Sequence, residues 1–408
     1  MIRVPSQLPP VGEPIVRAVP GAPDSIAAPW AGAGARFYAS GTAALAAAIA
    51  AARRLTHGRT RVVLPAYGCP ALVAATLWAG GRPVLVDLEP DRPQLALEPL
   101  ERALEQGDVA AVIAVNFLGL PERLQALAAR CAAHATRLIH DSAQAVPLAP
   151  TPAVADVVVY SFGRGKPVGV TGGGVAVARD TEIARWLPGA GPGRGLRQAD
   201  AWQRLRVTAH NLALRPSMFG LLSAVPVLHI GGTRYAPLAG LGPMAPALQA
   251  LLPANLARYR RSAAAPQALI RDALTGSARL QAAIVDLPRR LDATGTDIRL
   301  LRYPVLLRDR TTRERALAAL RRAGLGASAL YGVSLPRVEG MVETVCAAGP
   351  FPAAERFAAR LLTLPTHSGV GARQVNAMRR ILEDVSQTDS ASRTAVDSWP
   401  CANREAKT

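Results

Sequence analysis

The sequence predicts an α/β protein: a mostly parallel sheet with helices on both faces, followed by a smaller α+β domain. Two observations carry this. Between residues 61 and 178, short apolar runs alternate with helical stretches, the signature of βαβ units. From about residue 245 the pattern changes to Ala/Leu/Arg helices around a single strand-like run. The expected division is an N-terminal arm (1–30), a large α/β domain (31–244), a small α+β domain (245–386) and a disordered tail (387–408).

Taken in order, residues 1 to about 30 are rich in proline and suit an arm lying on the body or on a partner subunit. Ser40-Gly41-Thr42 then precedes AALAAAIAAARRL, a strong helix former with arginines in its last turn. Such a small polar triplet at a helix start caps the helix or holds an anion on its free N–H groups.

The apolar runs are RVVLP (61–65), PVLVDL (83–88), AAVIAVN (110–116), TRLIHD (136–141), DVVVYSF (156–162) and GGVAVA (173–178). Helical segments fall around 70–80, 98–106 and 121–134. In such sheets ligands bind at the carboxyl ends of the strands. Asp87, Asn116, Asp141, Gln144, Ser161 and Lys166 all follow strands there.

The stretch from about 180 to 235 contains GAGPGRGLR (189–197), which lacks the strand and Lys-Ser ending of a phosphate loop and reads as a flexible connection. Beyond it come a strand in LLRYPVLL (300–307), a helix over 313–323, a further stretch over 328–335 and FPAAERFAARLL (351–362). LPTH (364–367) and a last helix to about Asp384 complete the small domain. After Ser386 no apolar period remains, so disorder is expected.

Half of the 408 residues are hydrophobic and 19% are charged, a globular composition. The net charge of +18 is spread as arginines through helices and turns. Without an aromatic-studded basic run it indicates an anionic small molecule, not nucleic acid. Cys69, Cys131, Cys346 and Cys401 lack CxxC spacing, so neither a metal site nor a disulfide framework is expected, which fits a cytoplasmic protein. The longest apolar patch, 218–232, holds Pro226 and His229 and is too short to span a membrane.

Of the 47 basic residues only Lys166 and Lys407 are lysines. A lysine kept in a glycine-rich turn of so arginine-rich a chain suggests work that a guanidinium cannot do. Its amine can lose a proton and form a Schiff base with a carbonyl.

These residues resemble the DegT/StrS family of sugar aminotransferases, over about 35–385. The likeness rests on SGTAAL (40–45), LPAYGCPALV (64–73), PVLVDLE (83–89), HDSAQA (140–145), SFGRGKPVGVTGGG (161–174), YP (303–304), FPAAE (351–355) and LPTH (364–367). HDSAQA followed at this distance by SFxxxK is its most specific part.

The resemblance implies the type I fold of pyridoxal phosphate (PLP)-dependent transferases, with Lys166 joined to the cofactor and catalysing proton transfer. It implies that Asp141 holds the pyridine nitrogen and that Gln144 lies near the phenolic oxygen. Ser161, Gly41 and Thr42 would hold the phosphate, and Cys69 would stand where the family commonly stacks an aromatic ring. Tyr67 and His367 are the candidate substrate contacts, whereas His140 reads as a packed strand residue.

Amino transfer from glutamate or glutamine to a nucleotide-linked keto-sugar, in a homodimer serving polysaccharide or glycoconjugate synthesis, is what the family implies. Two alternatives stay open: a PLP enzyme acting on a non-sugar substrate, and a non-catalytic regulatory or partner protein. The sequence departs from the family in Cys69, in Thr171-Gly172-Gly173-Gly174 without the usual Glu, and around 231–243, where an Asn-containing loop is usual.

Overall fold

The computed structural model describes residues 6–17, 28–32, 34–148, 154–191, 196–225, 232–262, 264–293, 295 and 298–397. Seven strands form the larger sheet: β1 (Ala35–Tyr38), β2 (Arg61–Pro65), β3 (Arg82–Val86), β4 (Val109–Val115), β5 (Arg137–Asp141), β6 (Val157–Ser161) and β7 (Gly174–Ala178). Their order is β1-β7-β6-β5-β4-β2-β3. The pairs from β3 through to β6 are parallel, and β7 lies antiparallel to both β6 and β1.

Alternation along each strand divides the core into two layers. Val62, Leu64, Ala111, Ile113 and Ile139 face the helix Gly41–Leu55. Val63, Val112, Ala114 and Leu138 face the helices Leu97–Glu105 and Leu124–Ala133. The first of these helices buries seven alanines. Their small side chains let its axis come close to the sheet, which fixes where its N-terminus ends.

That closeness is most demanding at Gly174. A Cβ there would lie 2.6 Å from both Cα and N of Gly41. A Cβ on Gly41 would in turn lie 2.6 Å from Oγ of Ser161. The start of the helix therefore rests on the ends of β6 and β7 with no side chain between.

A second sheet, β8 (Val285–Asp286), β9 (Arg302–Leu306) and β10 (Leu361–Pro365), is antiparallel in the order β10-β9-β8. Tyr303 donates its hydroxyl proton to Asp286 at 2.9 Å, tying β9 to β8. The two sheets are joined by hydrogen bonds. Asp87, at the end of β3, accepts from the backbone N–H of Ala353 and Ala354 (3.0 and 2.8 Å), capping the helix Pro352–Arg360. Arg360 pairs with Asp91 and donates to the carbonyl of Leu307.

Several expectations are corrected. The supposed flexible connection holds, among its described residues, the helices Thr181–Ala184, Leu196–Ala213 and Pro216–Ser223, the last started by a proline in its first turn. The stretch QADAWQRLRVTAHNLA has no glycine or proline and good helix formers, and it propagates as helix once past the glycines. The last helix, Ala372–Asp397, runs on through residues expected to be disordered, because nothing breaks the helix in SQTDSASRTAV; residues 398–408 lie outside the described residues. The expected arm is described over 6–17 and 28–30, where it lies on the body; 1–5 and 18–27 lie outside the described residues.

His140 is a strand residue, as read. Its Nε2 is buried without a hydrogen-bond partner, and burial pushes its pKa down to about 4. The ring is therefore neutral in the folded state, and the unfolded chain binds more protons between pH 6.5 and 4. Its contribution is complete above pH 6.5 and is lost as pH falls toward 4, by roughly 2 kcal/mol for a ring still partly exposed. Denaturant unfolding of His140→Gln should show a stability profile flatter than wild type across that window; parallel profiles would refute the assignment. Gly174→Ala should cost about 2 kcal/mol or more by driving the helix start off the sheet, read as a lowered denaturation midpoint.

Candidate active site

A cavity of about 620 Å³ opens at the carboxyl ends of β4, β5 and β6 and is lined by Gly41, Thr42, Cys69, Asp141, Gln144, Ser161 and Lys166. Each of these was singled out in the sequence, and the fold brings all of them together. Tyr67 and His367 do not line it.

One end of the cavity is built for an anion. Ser40 caps the helix Gly41–Leu55, its Oγ accepting from the N–H of Ala43 at 3.1 Å. The amides of Gly41 and Thr42 start the helix, where N–H groups have no acceptor within it and the helix dipole is positive. Ser161 faces them across the Gly41 contact.

Thr171 adds a feature that sequence reading missed. It is a β-branched residue at φ +76°, in the left-handed region, and its buried Oγ1 makes no hydrogen bond although the residue lines the cavity. Strain of this kind in a non-glycine residue marks sites of function.

At the other end, Asp141 ends β5 with a buried carboxylate. Burial raises its pKa, while the N–H of Ala143, donating at 2.9 Å, and the charge of Lys166 lower it. A buried carboxylate so placed favours a protonated nitrogen opposite it. Lys166 stands on the turn after β6, and its charge reaches both Asp141 and Cys69. Burial pushes the Cys69 thiol up, keeping it protonated.

Gln144 is held from both sides. Its Oε1 accepts from the N–H of Leu118 (2.7 Å), and its Nε2 donates to the Tyr331 hydroxyl (2.8 Å). Tyr331 lines the cavity from a loop 165 residues beyond Lys166, a distance in sequence that hid it. Phe117 and Tyr331 are the aromatic rings that reach the cavity among the described residues. Tyr67 lies behind them, its ring 5.5 Å from Tyr331 and 5.6 Å from Phe117, so it supports the wall from within the core.

Arg164, Gln203 and Arg206 complete the lining, the last two from the helix Leu196–Ala213. Asp87 is occupied in capping, and Asn116 accepts from the N–H of Glu122 at 3.1 Å. Neither reaches the cavity. His367 donates from Nε2 to the carbonyl of Pro9 (3.0 Å) and accepts at Nδ1 from Gly369 (3.1 Å). It anchors the arm.

The donor set fits a phosphorylated pyridine aldehyde. It offers a helix N-terminus with Ser161 and an orphaned Thr171 hydroxyl for the phosphate, a buried carboxylate for the ring nitrogen and an amine for the aldehyde. Thr171→Gly should relieve the backbone and raise stability by about 1 kcal/mol in urea unfolding, the strain exceeding the entropy cost of glycine. A loss of stability would show that the Thr171 conformation is not strained.

The sequence pattern described as the DegT/DnrJ/EryC1/StrS aminotransferase family matches residues 35–191. The resemblance drawn from the motifs holds over that segment, which contains every cofactor-site candidate. The chain is 32% identical over 171 residues to UDP-N-acetyl-3-dehydro-alpha-D-glucosamine 3-aminotransferase of Acidithiobacillus ferrooxidans, covering 40% of this chain and 44% of that protein. It is 31% identical over 117 residues to the putative pyridoxal phosphate-dependent aminotransferase EpsN of Bacillus subtilis, covering 26% and 30%. The matches thus span less than half the length of either relative.

Among solved structures, DesI, crystallised in the presence of its TDP-sugar product, superposes with a TM-score of 0.65 at 22% identity, over 89% of this chain and 83% of that one. Helicobacter pylori PseC, an aminotransferase of pseudoaminic acid biosynthesis, gives 0.63 at 16% identity over 87% of both. NtdA of Bacillus subtilis with bound cofactor PMP gives 0.63 at 18%, over 86% and 73%. These likenesses establish the fold: a mostly parallel seven-stranded sheet flanked by helices.

Proposed function

We propose that this protein is a PLP-dependent aminotransferase that moves an amino group from glutamate or glutamine to a nucleotide-linked keto-sugar, in glycoconjugate or polysaccharide synthesis. The observation that carries the reading is the placing of Lys166, Asp141 and the Gly41–Thr42 helix start on one cavity. The relatives named for sugar amination agree with it, as does the TDP-sugar seen with DesI.

Bound PLP supplies an electron sink for the carbon that loses its proton. The protein supplies the rest. The amides of Gly41 and Thr42, with Ser161 and Thr171, would hold the cofactor phosphate. Asp141 would keep a proton on the cofactor's ring nitrogen by charge, in a setting whose burial excludes competing water.

Gln144, fixed by Leu118 and Tyr331, lines the cavity with one amide N–H left over from those bonds. Phe117 and Tyr331, the aromatic rings that reach the cavity among the described residues, would be the ones available to a bound ring. Lys166 Nζ removes the proton from the α-carbon of the donor and returns a proton in the reverse half of the reaction. Arginine cannot replace it, because a guanidinium does not give up its proton at working pH.

The sugar nucleotide would enter past Arg164 and Arg206, whose guanidinium groups suit a diphosphate. A homodimer, the arrangement implied by the family, would complete this open side. Among the described residues no helix is long and apolar enough to cross a membrane, and a cytoplasmic setting suits a nucleotide-sugar substrate.

The test is the visible spectrum of purified protein with PLP, before and after glutamate. Wild type should show a yellow band that glutamate bleaches, and Lys166→Arg should show neither the band nor the change. A wild-type protein without the band would overturn the reading.

A further inference from the structure

The helix Leu196–Ala213 is apolar on two sides. Val207 is buried in the body, and Gln203, one turn before it, lines the active-site cavity. On the opposite side Trp202, Leu205, Ala209 and Leu212 recur at spacings of three, four and three residues, which set them in one stripe along an α-helix. All four are exposed. Trp202 and Leu205 are 60% and 57% exposed, more than any other large hydrophobic residue among those described. Leu221, in the helix Pro216–Ser223, and Val225 just beyond it add further exposed apolar surface.

The charges around this stripe have one sign. Between Glu182 and Asp272 the chain has eleven arginines and a single acidic residue, Asp200. Arg204, Arg206 and Arg215 are exposed, and none of them forms an ion pair among the described residues. Arg17 of the arm joins them, its guanidinium donating to Oγ1 of Thr208 on the same helix (3.2 Å). The arm's carboxylate does not offset these charges. Glu13 accepts from the N–H and Oγ of Ser368 (2.7 and 2.8 Å) and faces the charge of Arg258.

A stripe of Trp and Leu flanked by unpaired arginines is the make-up of a helix that lies in a membrane interface. Its apolar side enters the acyl boundary while the guanidinium groups stay at the level of the phosphates. A second copy of this chain fits less well, because pairing stripe to stripe would bring the arginines of both copies together without a carboxylate between them. Nucleic acid would engage the arginines through its phosphates and leave the leucines in water.

We propose that this face docks the protein on an anionic phospholipid surface, with the helix Leu196–Ala213 lying along the surface and not crossing it. The family pattern ends at residue 191, before this helix, so docking is a property of the added segment and is independent of the reaction. Because Gln203 and Val207 occupy the other side of the helix, the active-site cavity stays clear of the lipid.

Co-sedimentation of the full-length protein with vesicles tests this. Vesicles of phosphatidylcholine with about one third phosphatidylglycerol should bind wild type at least about tenfold more tightly than phosphatidylcholine alone. The double variant Trp202→Ser, Leu205→Ser should lose about tenfold or more of that affinity at an unchanged thermal midpoint, and Arg204→Gln with Arg215→Gln about tenfold. Trp78→Ser, an exposed tryptophan on the helix beside β3, should stay within about twofold of wild type. Tryptophan emission should shift to shorter wavelength on adding the anionic vesicles to wild type, and not in Trp202→Phe.

Equal vesicle binding by wild type and the Trp202/Leu205 variant would mean that charge alone holds the protein to the lipid, and overturns the proposal. Wild type that binds neither vesicle overturns it as well. A vesicle-free sedimentation experiment in which the Trp202/Leu205 variant is a smaller species than wild type would assign the stripe to a second copy instead.

Discussion

Everything at the active site depends on one close approach, that of the Gly41 backbone to Gly174 and Ser161. A helix packed on a sheet through leucines stands about 10 Å off, and its free N–H groups would point past the strand ends. Seven buried alanines and a pair of glycines bring this helix closer. Its dipole thereby enters the same cavity as Asp141 and Lys166. The anion seat, the carboxylate and the amine are consequences of separate strands ending level with one another, and the alanine helix sets the distance between them.

Much of this was legible beforehand, for a physical reason. A strand in a doubly covered parallel sheet is buried on both faces and reads as an unbroken apolar run, so β2 to β7 stand out in the sequence. Their carboxyl-terminal residues then name the site. Asp87 shows the limit of that logic: it stands in the right place and is spent on capping a helix 266 residues away. No local pattern distinguishes a carboxylate facing a ligand from one facing a distant helix.

The elements that escaped are those whose order comes from elsewhere. β1 and β8 have four and two residues and are strands only because a neighbour pairs with them. β10 follows the helix Pro352–Arg360 without a break, so its LLTLP merges with the apolar face before it. Tyr331 reaches the cavity from the smaller sheet's side, and its partner Gln144 was found while it was not. Thr171 sits among glycines, and its significance lies in a dihedral angle rather than in its type.

The arm along residues 6–17 is held by its main chain. Asn211 and Asn255 each take both the N–H and the carbonyl of one arm residue, Ile15 and Val16, and further bonds reach the backbone of Gln7, Leu8, Pro9 and Pro14. The side chains of Leu8 and Ile15 are buried in the core and Glu13 accepts from Ser368, so those three positions are fixed by what they pack against or bond. The arm positions between them are gripped through the main chain alone, and composition there is free to vary without changing the arm's path.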